Sequence, residues 1–175
     1  AIWADLDVKP GACRDLAHAH QVIGELSAIL GTRPSAVVHS GGGLQPYWPI
    51  DGGGIDCEAD RQAYAALLKR WGRLACIVAD GLGAKIDRGV YDLARVLRVP
   101  GTVNPKYDPP RPVTLAMDAG APLTVDELRD QLCLRVGQPV LRVVGLVPVV
   151  EPDPFEQRGH LAGVHHLLEG ALGNP

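Results

Sequence analysis

No apolar run in the 175-residue chain is long enough to span a bilayer, and no signal-peptide pattern is present. A membrane partner is therefore not expected, and a cytoplasmic location is. The four cysteines, Cys13, Cys57, Cys76 and Cys133, include no Cys-x-x-Cys pair. This argues against a zinc knuckle and implies no disulfide framework, in keeping with a reduced compartment. Positive charge is not in excess either: 17 Lys and Arg against 20 Asp and Glu give a formal net charge of −3. General electrostatic attraction to nucleic acid is excluded, so any such binding must come from a local basic patch or a neighbouring domain. Internal repeats are also missing. What is present is 46% hydrophobic residues, enough for a proper core in one domain with a small appendage. Ala1 already falls in a predicted strand, the expectation for a fragment or a processed chain.

Local patterns divide the chain. Residues 1–8 alternate and stop at the turn signal "KPG". Residues 14–30 place Leu16, Ala19, Ile23, Leu26 and Leu30 at helical spacing, with Gly31 as the stop. "SAVVHS" (35–40) reads as a strand, "GGG" as a turn, and "LQPYWPI" (44–50) as the returning strand of a hairpin. Pro46 and Pro49 mark that last strand as an edge or as irregular. A helix is predicted over 57–74, with Ala63, Leu67, Trp71 and Leu74 on one face. "RLACIVADGLG" either extends it or forms a short strand. A helix is predicted over 88–98, ended by Pro100, and a strand over 112–119. Thr124 and Glu127 form a capping box that opens another helix. An extended segment is expected within 139–150, then a linker and a short terminal helix over 160–172. These limits give one domain over 1–150 and an extension over 151–175.

The order through residue 119 is β-α-β-β-α-β. That order packs as a four-stranded antiparallel sheet with helices on one face, strands one and three being central neighbours. The expected class is α+β, with an RRM-like or palm-like sheet. Within "WADLDVK" (3–9), Asp5 and Asp7 sit at i and i+2 and share one strand face. An unpaired buried carboxylate is costly, and two on one face repel unless a cation lies between them. The readings are a solvated strand end or a divalent metal site. "HSGGGLQPYW" (39–48) is either a plain tight hairpin or a turn whose bare backbone admits a phosphate. Between 84 and 106, Asp87, Asp92, Arg95, Arg98, Asn104 and Lys106 read as a solvated helix face or as an anion clamp beside a rigid "PGT" turn. Asp118 reads as a turn residue.

These strings together resemble the archaeo-eukaryotic primase superfamily. More narrowly, they resemble the bifunctional primase–polymerase domains of phages, plasmids and integrated elements. "WADLDVK" is similar to the first motif, "SGGGLQPYW" to the frame of the second, and "AKIDRGV", with Asp87, to the third. "DLARVLRVPGTVNPK" (92–106) resembles the phage group's arginine-rich helix and the "RVPGT-x-N-x-K" turn after it, the most specific single string. The similarity spans roughly residues 1–107. It implies template-directed nucleotidyl transfer on single-stranded DNA, as primer synthesis, extension or both. Two Mg²⁺ or Mn²⁺ ions on Asp5, Asp7 and Asp87 would serve it. The implied partners are nucleoside triphosphates, a DNA template and a fused or associated helicase. The implied triphosphate contacts are Ser40, Gly41, Gly42, Gly43, Arg98, Asn104 and Lys106. The second motif's histidine falls on Gln45, which donates a hydrogen bond but carries no charge. His39 is the candidate substitute, or an ordinary strand histidine. Arg95 either joins the clamp or pairs with Asp92.

Rival readings are another two-metal palm enzyme, such as a cyclase or nuclease, and a non-catalytic RRM-like domain that binds single strands or nucleotide. The acids on the expected sheet face argue against the second. Tyr47 and Trp48 read as base-stacking or core residues, Trp71 as core, and Lys9 as a surface lysine or a phosphate contact. His160, His165 and His166 lack metal-ligand spacing.

Overall fold

In the computed structural model, residues 1–135 are described. The expected segment over 139–150, the linker and the terminal helix with its three histidines lie outside them. The described chain is α+β, a mostly antiparallel sheet with three α-helices.

Helix α1, Leu16–Leu30, starts where the Asp15 carboxylate accepts from the His18 N–H at 2.7 Å. It ends at Gly31, whose φ of 71° suits a residue without Cβ. Val22, Leu26, Ile29 and Leu30 on its apolar face are buried. Helix α2, Glu58–Gly81, includes the ambiguous "RLACIVADGLG". Ala75, Cys76, Val78 and Ala79 continue the buried stripe of Leu67, Leu68 and Trp71, so helical burial decides for the extension. His18 joins the two helices. Its Nδ1 accepts from the Arg14 N–H, which leaves Nε2 to donate to the Leu82 carbonyl at 2.9 Å. Helix α3, Val125–Arg135, opens with the predicted capping box, in which Glu127 accepts from the Thr124 N–H at 2.7 Å and Thr124 from the Glu127 N–H at 3.2 Å.

The first strand is split into β1, Ile2–Trp3, and β2, Leu6–Asp7. Both pair antiparallel with β4, Gly43–Trp48, which pairs on its other side with β3, Ala36–His39. The registers Trp3↔Tyr47 and Leu6↔Leu44 place Ala4 opposite Pro46 and Asp5 opposite Gln45. Ala4 donates its N–H to the Pro46 carbonyl at 3.3 Å, but Pro46 has no N–H to return. The ladder breaks there. Pro46 thus stands in an interior strand, so of the two expected readings the edge fails and irregular pairing holds, the interruption being its consequence.

The predicted strand over 112–119 appears as β8, Thr114–Met117, paired with β3. The order is β1/β2–β4–β3–β8. Strands one and three of the expected pattern are neighbours as anticipated, but the last strand joins the far edge and leaves the first strand at the other. Two smaller pairings, β5 (Ile50–Asp51) with β9 (Leu123–Thr124) and β6 (Val103–Asn104) with β7 (Arg111–Pro112), complete the strands as short ladders outside the main sheet.

Alternation sorts the first strand and β4 into two faces. Ile2, Ala4, Leu6, Leu44 and Trp48 join the helices in the core, where Trp48 meets Trp71 edge-on at 5.5 Å. Trp48 and Trp71 are therefore core residues. Asp5, Asp7, Gln45 and Tyr47 occupy the alternate positions.

The helix expected over 88–98 is not formed; a 3₁₀ turn, Arg88–Val90, is followed by irregular chain. Arg95 explains the difference. Its guanidinium donates to the carbonyls of Gly89 and Val90, acceptors that a helix would have given to backbone N–H groups.

Candidate active site

The split first strand, the hairpin turn, the 3₁₀ turn and the 95–107 segment enclose a cleft of about 740 Å³. Asp5, Asp7 and Asp87, distant in sequence, all line it. So do Ser40, Gly42, Gln45, Arg95, Arg98, Asn104 and Lys106. Arg95, Arg98 and Lys106 thus come from one segment, Lys9 from the end of the acid strand, and the acidic residues from the strand and the turn.

Each acid is held differently. The Asp5 Oδ1 accepts from the Gln45 Nε2 at 3.1 Å across the strand pair. Burial pushes the Asp5 carboxyl above its ordinary value; the Gln45 bond pulls it back, Asp7 and Asp87 push it up and Arg95 draws it down. Asp7 is half exposed and takes the Lys9 ammonium at 2.5 Å. Asp7 raises the affinity of Lys9 for its proton. Asp87 accepts from the Gly89 N–H at 2.8 Å and so caps its own turn.

That turn is anchored to the core by indole donors. Trp71 Nε1 donates to the Trp3 carbonyl at 2.7 Å, and Trp3 Nε1 to the Val90 carbonyl at 3.3 Å. Arg95 grips the same turn and also pairs with Asp92 at 3.2 Å, so both expected i, i+3 pairing and a cleft position are found.

The glycine turn is built by close approach. A Cβ on Gly43 would lie 2.0 Å from the Leu6 carbonyl oxygen, and one on Gly42 2.3 Å from the Tyr107 hydroxyl. Gly41 has φ +78°. The Ser40 Oγ donates to the Gly43 carbonyl at 3.2 Å. Asn104 is a strut: its Nδ2 donates to the Ser40 carbonyl at 2.7 Å and its Oδ1 accepts from the Lys106 N–H at 3.1 Å. It is 3% exposed, and both ends of its amide are engaged inside the protein, so the structure gives it a supporting role in the wall of the cleft.

His39 is placed elsewhere. Strand alternation puts it with Val37, on the side of α1, and its ring lies 6.4 Å from that of His20. It lines a separate groove with Arg14 and Arg111, and Gln45, not His39, reaches the acids.

Sequence reasoning passed over Trp3, Tyr107 and Arg111. Arg111 donates to the Gly41 carbonyl at 3.0 Å and lies 3.8 Å over the Tyr107 ring, bracing the glycine turn from outside. Only the glycine triplet signalled that something large packs there.

Among the described residues, no three His, Cys, Asp or Glu side chains stand close enough together to hold a metal ion as they are. The donor chemistry nevertheless suits a hard divalent cation: three carboxylates on one cleft, mutually repelling, beside a Gln45 Oε1 that is buried without a hydrogen-bond partner. Comparison with protein-family models, with curated proteins and with solved structures gives no match.

Proposed function

We propose that the chain is a nucleotidyltransferase domain of primase–polymerase type, extending a strand on a single-stranded DNA template. One observation carries the reading. Asp5, Asp7 and Asp87 share a cleft with a side-chain-free turn and with Arg95, Arg98 and Lys106. Carboxylates for cations and cations for a triphosphate, set on facing segments, suit phosphoryl chemistry. The adjacency of the first strand and β4, with acids on the face away from the core, supports a palm-like use of the sheet.

In this reading Asp5, Asp7 and Asp87 hold Mg²⁺ or Mn²⁺, which when bound favours the ionised primer hydroxyl and screens the triphosphate. Arg98 and Lys106 balance the charge of the phosphates. Arg95 keeps the Asp87 turn in place. The primer oxygen forms a bond to the α-phosphorus, pyrophosphate departs with the electrons of the broken P–O bond, and the hydroxyl proton leaves to water.

The test is extension of a labelled primer on a DNA template, with each nucleotide class and each metal. Extension is expected with the wild type. Asp7→Asn should abolish it with a melting temperature within a few degrees, because the Asp7 partner is the exposed Lys9. Full activity of Asp7→Asn sinks the assignment of the acids. Nucleotide binding without extension under any condition favours the non-catalytic binding module instead.

A further inference from the structure

Gln45 faces Asp5 across the β1/β2–β4 pair, and its Nε2 donates to the Asp5 Oδ1 at 3.1 Å. The residue is 4% exposed, and its Oε1 is buried with no hydrogen-bond partner. An orphaned buried carbonyl is unfavourable, and it is offset by the bond that the same amide donates to Asp5. The ladder is also interrupted at this point by Pro46. Backbone pairing fixes Asp5 less firmly than Leu6 or Asp7, and a side-chain bond does that work.

We infer that Gln45 is a positioning residue for Asp5: its amide N–H fixes one carboxylate oxygen, and so the carboxylate plane, for the divalent cation. This rests on the proposed metal-dependent transfer but changes the part Gln45 plays in it. The resemblance implies a triphosphate contact at this position. The geometry assigns the amide to the acid strand.

The two roles differ in what they move. A triphosphate contact, made in ground and transition states alike, changes the nucleotide KM. A positioning residue changes metal affinity and kcat. The measurement is Mn²⁺ binding without nucleotide, followed by the loss of the free aquo-ion's electron paramagnetic resonance signal. Gln45→Met keeps the length and removes the donor. It should weaken Mn²⁺ binding about tenfold, the lower end of the usual cost of losing an outer-shell partner. The metal-free melting temperature should stay within a few degrees of wild type, because the variant removes the orphaned Oε1 together with the Asp5 donor. In primer extension kcat should fall, with nucleotide KM within about twofold of wild type.

Wild-type Mn²⁺ affinity in Gln45→Met overturns the inference and leaves the proposed function standing. So does a raised nucleotide KM with metal binding intact. A wild type that binds no Mn²⁺ overturns both. Should Gln45→Met fail to fold, Gln45→Asn decides, because its donor sits on an arm one carbon shorter. Weakened Mn²⁺ binding there supports the inference, and unchanged binding refutes it.

Discussion

Gly43→Ala should damage this protein through backbone alone. The new Cβ would lie 2.0 Å from the Leu6 carbonyl oxygen and 2.9 Å from the Asp7 Cα, where real contacts start at about 3.0 Å. Neither neighbour is a flexible side-chain tip, so β2 and β4 must separate by about 1 Å. The pairs Leu6↔Leu44 and Asp7↔Gly43, with the 2.7 Å bond from the Val8 N–H to the Gly42 carbonyl, are what that separation strains. Losing two or three backbone bonds at about 1 kcal/mol each, and loosening the fully buried Leu6, costs about 3–4 kcal/mol. Asp7 moves with its strand, and a displacement of about 1 Å in such a site can lower a rate about 100-fold. Urea denaturation and primer extension read the two effects. Gly42→Ala is the control, because its Cβ would meet the Tyr107 hydroxyl, a tip that can swing away. That variant should lose less than about 1 kcal/mol. A Gly43→Ala protein within 1 kcal/mol of wild type would refute the reasoning.

Asp5→Asn should raise stability at pH 7. The folded state lifts the Asp5 carboxyl above its ordinary 3.8, mainly by burial, so the native chain holds that proton more tightly than the unfolded one. Wild-type stability therefore falls as pH rises through this window. The advantage of Asn should shrink on acidification and vanish below the unfolded value; an advantage that grows in acid would sink the argument. Arg95→Lys should lose about 1 kcal/mol, because one ammonium cannot serve Gly89, Val90 and Asp92 together. Its nucleotide addition should fall further than its stability, since the Asp87 turn loosens. Equal stability and equal initial rates in the variant would show that the guanidinium does not hold the turn.

Where a structural cue is local, it was legible. Gly31 ends α1, and Thr124 with Glu127 starts α3, because caps act within four residues. The glycine triplet and the acid pair also pointed to one site, since residue type and spacing survive folding unchanged. What failed depended on partners far along the chain. Pro46 fits an edge or an irregular strand, because a missing N–H is tolerated only where no bond is needed, and which of the two holds depends on the distant strand opposite it. Residues 88–98 carry helical spacing, but the side chain of Arg95 takes their carbonyls. The last strand's choice of edge is a tertiary decision that no local pattern encodes. His39 and Gln45 were interchangeable in one dimension, and strand alternation separates them in three.

The joint in the first strand has a mechanical meaning. Ile2–Trp3 and Leu6–Asp7 are each registered on β4, while the link at Ala4–Asp5 carries one ladder bond fewer than a continuous strand. Asp5 rides on that joint, and Asp7 sits on a clamped segment beside Gly43. The acid strand thus holds its two carboxylates by different means, Asp7 through backbone pairing beside Gly43 and Asp5 through a side-chain bond thrown across the joint from Gln45.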